Sequence, residues 1–317
     1  MRAPEFWNRD GWAPRLLSPL GWLYGTSVAW KQAHAKPYRS RATVICVGNL
    51  SVGGSGKTPV AIEIAHLLRQ RGRHPVFLSR GYGGRLKGPI QVHERNSVSD
   101  VGDEPLLLAQ SAPVVVARNR AEGARLAETL GDTIVMDDGH QNFSIVKDLS
   151  LVVVDGETGF GNGEVVPAGP LREPVAQGLF RADAVVIIGE GKVPLGQFSG
   201  AVLRARLKQA AGGMGSLRVV AFAGIGRPDK FFNALAQQGA ELAATQRFAD
   251  HHVYSQAEIA RLKSKARALG ARLVTTEKDF VRLTQAERDG ISALPVRAEF
   301  ETPEELLRLL DSLPRPG

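Results

Sequence analysis

Cysteine is nearly absent from the sequence: Cys46 is the single one among 317 residues. One cysteine excludes an intramolecular disulfide and any zinc site built from several cysteines, and it favours a reducing compartment. Internal repeats and low-complexity tracts are also lacking, while 43% of the residues are hydrophobic and 23% are charged. This composition is typical of a globular protein with a sizeable core. The length is about twice that of a typical domain, so we expect two modules.

Long hydrophobic runs are missing as well. The longest uncharged apolar stretch near the N-terminus extends from Leu16 to Trp30. As a helix it would reach only about 22 Å at ~1.5 Å per residue, against a hydrocarbon core of ~30 Å. Pro19, Gly21 and Gly25 are also expected to interrupt it. The sequence therefore predicts no membrane-spanning helix here.

Tryptophan is confined to this N-terminal region, where all four residues of that type lie between positions 7 and 30. Together with the flanking cations Arg15, Lys31 and Lys36 they resemble the aromatic belt of an interfacial segment. Packing of the same aromatics onto the main domain is the alternative, and the two roles are compatible. The formal charge of +8 favours acidic partners, namely phosphates, nucleic acid or an anionic membrane surface, without choosing among them.

Short apolar runs alternate with helical patterns from residue 43 onward. Nearly continuous apolar strands of this kind indicate a parallel sheet covered on both faces, so we predict a doubly wound α/β fold. A glycine-containing stretch, residues 209–216, separates this region from a second, smaller α/β unit. The predicted strands are Thr43–Val47, Val76–Ser79, Val114–Ala117, Thr133–Met136, Leu151–Val154, Ala184–Ile188, Val219–Ala223 and Arg272–Thr275.

A glycine-rich segment follows the first of these strands and precedes a helix, which is the context that a phosphate-binding P-loop requires. Its backbone N–H groups and the helix N-terminus would bind phosphate, Lys57 would reach the β- and γ-phosphates and act in catalysis, and the Thr58 hydroxyl would ligate Mg²⁺. Ser51 replaces the first glycine of the strict motif, so we expect a different local path there. The predicted nucleotide-binding residues are Ser51, Val52, Gly53, Gly54, Ser55, Gly56, Lys57 and Thr58.

Two adjacent acids, Asp137 and Asp138, follow the predicted strand Thr133–Met136. A carboxylate at the carboxyl edge of a parallel sheet is where a P-loop protein holds the Mg²⁺ shell, so both are expected metal ligands. Taken without the P-loop, an acidic pair in a turn is often only solvated. Arg80, Tyr82, Arg118 and Arg172 are the expected substrate-binding residues, because loops at this edge bind ligands and arginine grips phosphate. A solvated surface cation is the ordinary alternative for each arginine.

A P-loop indicates a nucleotide but not a reaction. An ATP-driven assembly or partitioning switch carries a signature lysine at the position of Val52, and a GTPase needs an Asn-Lys-x-Asp segment that the sequence lacks. Nucleic-acid binding has no recognisable motif here, so we expect none. A kinase of a soluble small molecule remains an alternative to a kinase of a membrane lipid.

The motifs taken together closely resemble the tetraacyldisaccharide 4′-kinase family, in matching order over nearly the whole chain. In that family, Ser or Thr at the first Walker glycine is part of the pattern. One departure is His140, which stands directly after Asp-Asp-Gly, where the family more often has an aromatic residue and then Gln-His. The residues that carry the resemblance are 48–59, 79–83, 101–104, 137–139, 167–173, 222–226, 250–252 and 276–279.

The resemblance implies ATP-dependent, Mg²⁺-assisted phosphorylation of the 4′-hydroxyl of a tetraacylated glucosamine disaccharide 1-phosphate. The partners would be this lipid and the cytoplasmic face of the inner membrane, in peripheral or monotopic contact; no protein partner is identified. Residues 1–40 would form the membrane-interface segment, 41–216 the kinase core, and 217–317 a smaller domain closing over the nucleotide cleft.

The resemblance also maps a catalytic aspartate onto Asp103 and its helper histidine onto His251. From the sequence alone, the ordinary interpretation of Asp103 is an acidic residue at a helix start, and that of His251 is a surface histidine. No role is assigned to the segment 276–279, and Cys46 is expected to be an inert core residue.

Overall fold

The structure, a computed structural model, describes residues 4–9, 11–209 and 215–314. A short 3-10 helix, Glu5–Asn8, precedes the long helix α1 (Trp12–Ala33). The strands that follow are β1 (Thr43–Gly48), β2 (Pro75–Ser79), β3 (Ile90–Gln91), β4 (Val114–Val116), β5 (Thr133–Asp137), β6 (Leu149–Asp155), β7 (Ala184–Ile188) and β8 (Ala201–Gln209). The helices among them are α2 (Lys57–Gln70), α3 (Val98–Val101), α4 (Asp103–Leu108), α5 (Arg120–Ala127) and α6 (Val175–Phe180).

A second group of elements begins after residue 215. Most of the predicted domain boundary, residues 210–214, lies outside the described residues. Its strands are β9 (Arg218–Ala223), β10 (Glu241–Arg247), β11 (Arg272–Thr276) and β12 (Ile291–Leu294). Its helices are α7 (Pro228–Gln237), α8 (Gln256–Ala268), α9 (Glu277–Phe280) and α10 (Gln285–Arg288). The described chain ends with β13 (Val296–Phe300) and α11 (Pro303–Asp311).

Nine strands form one large sheet in the order β13-β8-β7-β6-β1-β5-β2-β4-β3. Its pairings are parallel except at the two edges, where β3 and β13 run antiparallel to their neighbours. Strand β1 is central, with β5 and β6 on either side, so the carboxyl ends of these three strands meet at one edge. The predicted doubly wound α/β fold is confirmed, and this edge is where ligands of such sheets bind.

The large sheet is covered on both faces, as the apolar strands predict. Alternate residues of β1 belong to different core clusters: Ile45 packs in one with Ile64 of α2, and Val44 and Cys46 pack in the other with Ala124 of α5. Successive side chains of a strand point to opposite faces, which is why an unbroken apolar strand needs helices on both sides. Cys46 is fully buried, in agreement with its expected place in the core.

The C-terminal residues correct the predicted domain boundary. Strands β10-β9-β11-β12 form a separate parallel sheet, but β13 leaves it and pairs antiparallel with β8 of the large sheet. Leu306 and Leu310 of α11 are buried in the same cluster as Ile45. The large lobe therefore comprises residues 43–209 and 296–314, and the small lobe comprises residues 215–294. The expectation that 217–317 forms one domain is wrong for the last segment, because β13 pairs with β8 and α11 packs in the core of the large lobe.

Helix α1 is continuous, which corrects the expected interruption at Pro19, Gly21 and Gly25. The Ser18 hydroxyl donates to the Arg15 carbonyl, which Pro19 cannot serve because proline has no N–H. At Gly21 a Cβ would lie 2.7 Å from the Val165 carbonyl oxygen. The glycines thus let the helix approach the large lobe closely instead of breaking it.

Both faces of α1 are apolar, but one face carries small side chains and the other carries large ones. The face against the large lobe consists of Pro14, Gly21, Gly25 and Val28, which are buried. On the opposite face the large side chains are exposed, and at 100° per residue they fall within one stripe. These exposed residues are Trp12, Leu16, Leu20, Leu23 and Trp30.

Trp7, in contrast, precedes α1, donates its indole N–H to the Pro167 carbonyl at 3.1 Å and so packs on the large lobe. None of the described helices has the length and apolar character needed to cross a bilayer.

Candidate active site

The P-loop connects β1 to α2 at the centre of the large sheet. Positive φ angles occur at Gly53 (121°) and Gly56 (87°), whereas Ser51 is not among the described residues with positive φ. Ser51 instead forms an isolated antiparallel bridge with Leu171, and the Val52 N–H donates to the Pro170 carbonyl at 2.7 Å. The different path expected at Ser51 is therefore a short pairing with the segment 167–173, which needs no left-handed residue there.

Asp137 ends β5 and lies beside the start of α2. The Thr58 hydroxyl donates to Asp137 Oδ2 at 3.1 Å, while Asp137 Oδ1 is buried without a hydrogen-bond partner. Burial raises the pKa of Asp137 to about 7, and the nearby negative charge of Glu104 adds to the shift against the charge of Lys57. This carboxylate consequently lacks a sufficient counter-charge within the protein.

The donor set at this point fits Mg²⁺. A hydroxyl and a carboxylate are the hard oxygen ligands that Mg²⁺ takes, and it usually completes its shell with phosphate oxygens and water. The unpartnered Asp137 Oδ1 and the unpartnered, buried Ser55 hydroxyl are oxygens that the fold leaves unsatisfied. Within the described residues no cluster of three or more His, Cys, Asp or Glu side chains could hold a metal. An ion at Thr58 and Asp137 would thus depend on the nucleotide for its other ligands.

Asp138 is placed differently from its neighbour, because two cations contact it. Its Oδ1 accepts a hydrogen bond from Arg172 Nη1 at 2.8 Å and lies 3.6 Å from Lys57 Nζ. Burial opposes the charged form, yet Lys57 and Arg172 hold the pKa of Asp138 below its usual range. Asp138 has φ of 54°, a conformation that non-glycine residues adopt at special positions. The geometry makes Asp138 an anchor for these two cations, and its predicted role as a metal ligand stays untested.

Asp103 is the first residue of α4, and both of its carboxylate oxygens are engaged. Oδ1 accepts the backbone N–H of Glu104 at 2.9 Å. Oδ2 accepts from Arg282, through Nε at 2.9 Å and Nη2 at 2.5 Å, and it lies 2.9 Å from His251 Nδ1. Burial would raise the pKa of Asp103, but the His251 hydrogen bond and the charges of Lys278 and Arg282 outweigh it and hold that pKa well below its usual range.

His251 reaches this carboxylate from the small lobe, 148 residues further along the chain. Because an ionised carboxylate only accepts hydrogen bonds, His251 Nδ1 must donate and Nε2 is left as the acceptor of a neutral ring. The side chain is 40% exposed, and Asp250 Oδ1 lies 3.9 Å from Nε2. The backbone of His251 has φ of 58°, in the left-handed region. Such a conformation in a non-glycine residue is held by its surroundings and is frequent at functional sites.

Arg282 also contacts Asp103, and the sequence analysis did not single it out. Its side chain is only 3% exposed, and besides Asp103 it contacts Asp279 Oδ1 and the Gly224 carbonyl, both at 2.7 Å. Asp279 is itself fully buried and accepts from the Tyr254 hydroxyl. The segment 276–279, which had no assigned role, therefore supports Arg282. The available signal was its position three residues after that acidic motif.

The four expected substrate-binding residues are divided by the structure. Arg172 lies with the P-loop through Asp138, and the ring of Tyr82 lies 6.1 Å from that of His251. Arg80 is exposed at the carboxyl end of β2. Burial, together with the nearby charge of Arg80, lowers the pKa of Arg120 to about 10. The side chain of Arg118 is exposed, and the backbone N–H of Arg118 donates to the Lys87 carbonyl.

His140 lies in the core of the large lobe. It is fully buried, and its Nε2 lies 2.9 Å from the Gly178 carbonyl, to which it donates. Burial, with the charges of Lys147 and Arg181, lowers the pKa of His140 to about 3. His140 is therefore neutral and ties the loop after β5 to α6.

A parallel sheet with a phosphate loop after its central strand, and a carboxylate at the end of the adjacent strand, defines a P-loop NTPase-like enzyme. The family model described as tetraacyldisaccharide-1-P 4'-kinase matches residues 13–315. The chain belongs to this family of kinases, and the resemblance seen in the motifs is confirmed.

Individual relatives agree with the family match. The tetraacyldisaccharide 4'-kinase of Rhodospirillum rubrum is 49% identical over 324 residues, which cover 99% of this chain and 98% of that protein. The enzyme of the same name from Paramagnetospirillum magneticum is 49% identical over 321 residues, 99% of each chain. A crystal structure of LpxK from Aquifex aeolicus, in a form called "apo" and in complex with ATP, has a TM-score of 0.78 and 28% identity. It covers 95% of this chain and 99% of that one.

Proposed function

We propose that the chain transfers the γ-phosphoryl group of ATP to the 4′-hydroxyl of a tetraacylated disaccharide 1-phosphate at the surface of a membrane. The observation that carries the proposal is the Asp103–His251 pair, formed between the two lobes beside the phosphate-binding edge. Glu104 shows that the pair lies near the phosphate-binding edge, because it directly follows Asp103 and its charge raises the pKa of Asp137 at that edge. A kinase needs this adjacency, since the acceptor hydroxyl must lose a proton where the phosphoryl group arrives.

On the phosphate side, the residues act by position and charge. The backbone N–H groups of 53–56 and the N-terminus of α2 bind phosphate oxygens, and Lys57 stabilises the charge that develops during transfer. Arg172 and Lys57 are both held by Asp138, so the two cations are oriented before the nucleotide binds. Mg²⁺, when bound at Thr58 and Asp137, supplies further positive charge to the phosphate oxygens.

On the acceptor side, the pair takes up the proton of the sugar hydroxyl. Asp103 is buried and hydrogen-bonded at both oxygens, whereas the His251 side chain is partly exposed, so His251 Nε2 is the more accessible acceptor atom. Asp103 holds the ring in the required tautomer and stabilises the imidazolium that forms. Asp103 therefore works through His251 in this geometry, although the sequence analysis expects Asp103 as the base and His251 as its helper.

The membrane part of the proposal rests on the exposed apolar stripe of α1. The stripe spans Trp12 to Trp30, which is about 27 Å at ~1.5 Å per residue, so the helix would lie flat along the surface. Arg15 and Lys31 flank it and would meet anionic headgroups. An acylated substrate stays in the bilayer, so an enzyme resting there meets it directly. The cytoplasmic face of the inner membrane, where ATP is available, is the proposed location.

The activity is tested by incubating the purified protein with γ-labelled ATP, Mg²⁺ and detergent-dispersed 1-phosphorylated acyl disaccharide. Label should enter the lipid phase. The same lipid already phosphorylated at the 4′ position should take none, which controls for exchange at the 1-phosphate. Label on a soluble sugar and none on the lipid would favour the alternative, a kinase of a soluble small molecule.

Membrane contact is tested by cosedimentation with vesicles containing an anionic lipid. Leu23→Ser should weaken binding by on the order of tenfold, since a buried leucine is worth roughly 1.5–3 kcal/mol. Val202→Ser is the matched control, because Val202 is also an exposed aliphatic residue but lies on β8. Equal binding of both variants would place the contact outside α1.

A further inference from the structure

The Asp103–His251 pair has a third member in the structure. Arg282 is buried, and it forms two hydrogen bonds to the carboxylate oxygen of Asp103 that also faces His251 Nδ1. An arginine side chain offers five N–H donors in a rigid plane, so it fixes the position of a carboxylate as well as its charge. The contact with Arg282 therefore fixes the direction from which the Asp103 carboxylate meets His251.

The other hydrogen bonds of Arg282 lie within the small lobe. Its Nη1 donates to Asp279 Oδ1 and to the Gly224 carbonyl, and the His251 N–H donates to the same Gly224 carbonyl at 3.2 Å. Arg282 and His251 are therefore attached to one carbonyl group of the β9–α7 loop. Both side chains contact Asp103 of the large lobe from this shared anchor.

We propose that Arg282 is a positioning residue for phosphoryl transfer: it fixes the Asp103 carboxylate so that His251 donates from Nδ1 and presents Nε2 to the acceptor hydroxyl. This inference rests on the proposed function for its catalytic consequence, but the tautomer of His251 is a property of the protein by itself. Without the guanidinium, the carboxylate could rotate, and either ring nitrogen could carry the proton.

The charges around the pair come from several elements. Asp103 keeps its charge because the His251 hydrogen bond and the charges of Lys278 and Arg282 outweigh the effect of its burial. Removing Arg282 leaves the carboxylate less compensated, which stabilises the protonated form of the pair as a whole. The titratable and charged groups that face the pair are Glu104 of α4, Tyr82 of the loop after β2, Asp250 beside His251, and Lys278, Asp279 and Arg282 of the small lobe.

The test uses the full chain with Arg282→Met, which keeps the length and apolar stem of the side chain, and Arg282→Lys, which keeps a charge but not the planar donor set. Arg288→Met is the matched control, since Arg288 lies in the same lobe, packs on Phe280 and donates to the Val281 carbonyl, without contacting Asp103. Thermal melts of all three variants identify the folded fraction.

We expect Arg282→Met to lower kcat on the order of 10²-fold at nearly unchanged KM for ATP, with the acid limb of its kcat–pH profile about one pH unit higher. Arg282→Lys should recover part of both effects, and Arg288→Met should show neither. A loss of kcat that only follows the folded fraction, with the pH profile of the wild type, would overturn the proposal.

A second readout does not depend on catalysis. The ¹⁵N chemical shifts of the His251 ring nitrogens report which of them carries the proton. At pH 8 we expect the Nδ1–H tautomer in the wild type and a mixture of tautomers in Arg282→Met. The same single tautomer in both would refute the positioning role. If the lipid is not phosphorylated by the wild type, the proposed function fails, while this measurement still decides the role of Arg282.

Discussion

Asp137 and Asp103 are equally buried, each with 3% of its surface exposed, yet their pKa values move in opposite directions. Burial and the charge of Glu104 raise the pKa of Asp137 to about 7. At Asp103 burial acts in the same sense, but His251, Lys278 and Arg282 outweigh it, and the pKa falls below its usual range. The difference lies mainly in the counter-charge.

The contrast separates the two halves of the site. The acceptor side contains its own hydrogen-bond donors and cations, but all three, His251, Lys278 and Arg282, come from the small lobe. The phosphate side is formed within the large lobe, and its carboxylate at Asp137 lacks a sufficient counter-charge until a ligand brings one. A buried charge needs a partner in either case. Here the protein provides that partner on one side, and we propose that Mg²⁺ with ATP provides it on the other.

Removing the cation of the phosphate side should have the largest effect. Lys57→Ala should lower kcat on the order of 10²-fold or more, because Lys57 stabilises charge that grows during transfer. Its loss also leaves Asp138 with Arg172 alone. The measurement is the rate of label transfer at saturating ATP and lipid. Lys208→Ala, an exposed lysine on β8, should retain wild-type turnover, and near-normal turnover in Lys57→Ala would refute the site.

The acceptor side should respond as one unit. Asp103→Asn and His251→Ala should each lower kcat on the order of 10²-fold with little change in ATP affinity, and the double variant should be scarcely slower than the slower single one. The reason is that Asp103 acts through His251. Turnover of all three under saturating substrates decides the matter. Fully multiplicative losses would mean that the two residues act independently.

The raised pKa of Asp137 predicts a pH effect on stability in metal-free protein. The folded-state pKa of about 7 exceeds the ordinary value of 3.8, so protonation favours the folded state and this stabilisation is lost as the pH rises through 7. Asp137→Asn removes it. From pH 6.5 to 5, the unfolding free energy of the variant should fall by about 2 kcal/mol relative to wild type, at ~1.36 kcal/mol per pH unit.

Denaturant titrations with EDTA present provide this measurement. Asp289→Asn, at an exposed carboxyl, serves as the control and should follow the wild type at both pH values. An unchanged difference between wild type and Asp137→Asn across this pH range would show that Asp137 is ionised when buried, and the contrast with Asp103 would disappear.

The smallest effect is expected at a second contact between the lobes. Arg227 of the small lobe lies 2.8 Å from Asp155 at the end of β6, and Lys230 lies 2.8 Å from Glu157. These groups are largely exposed except Asp155, and exposed ion pairs contribute about 0–1 kcal/mol. Arg227→Ala should change the KM for ATP by less than about fivefold, and less still at high salt. A fall in kcat on the order of 10²-fold, as expected for Arg282→Met, would show that this outer contact matters to the site as much as the contact between Arg282 and Asp103.

Sequence reasoning was strongest where the chemistry is local. The P-loop, Asp137 and the central strands are contiguous segments whose spacing alone indicates a strand, a loop and a helix. It was weaker for β8, where Arg204, Arg206 and Lys208 alternate with apolar residues and no continuous apolar run marks a strand. Strand β13 also pairs with a strand about 90 residues earlier in the chain, and such long-range pairing has no local signal.

The sequence by itself determined the nucleotide loop, the parallel sheet and the family, because each follows from residue types at short, regular spacing. Only the tertiary structure decided which lobe the last strand joins, that α1 is one helix with its glycines turned to the core, and that Arg282 meets Asp103. These features depend on contacts between residues far apart in the chain, 179 positions in the case of Arg282 and Asp103. Burial then converts that contact into a charged, oriented carboxylate, which no single segment of the sequence encodes.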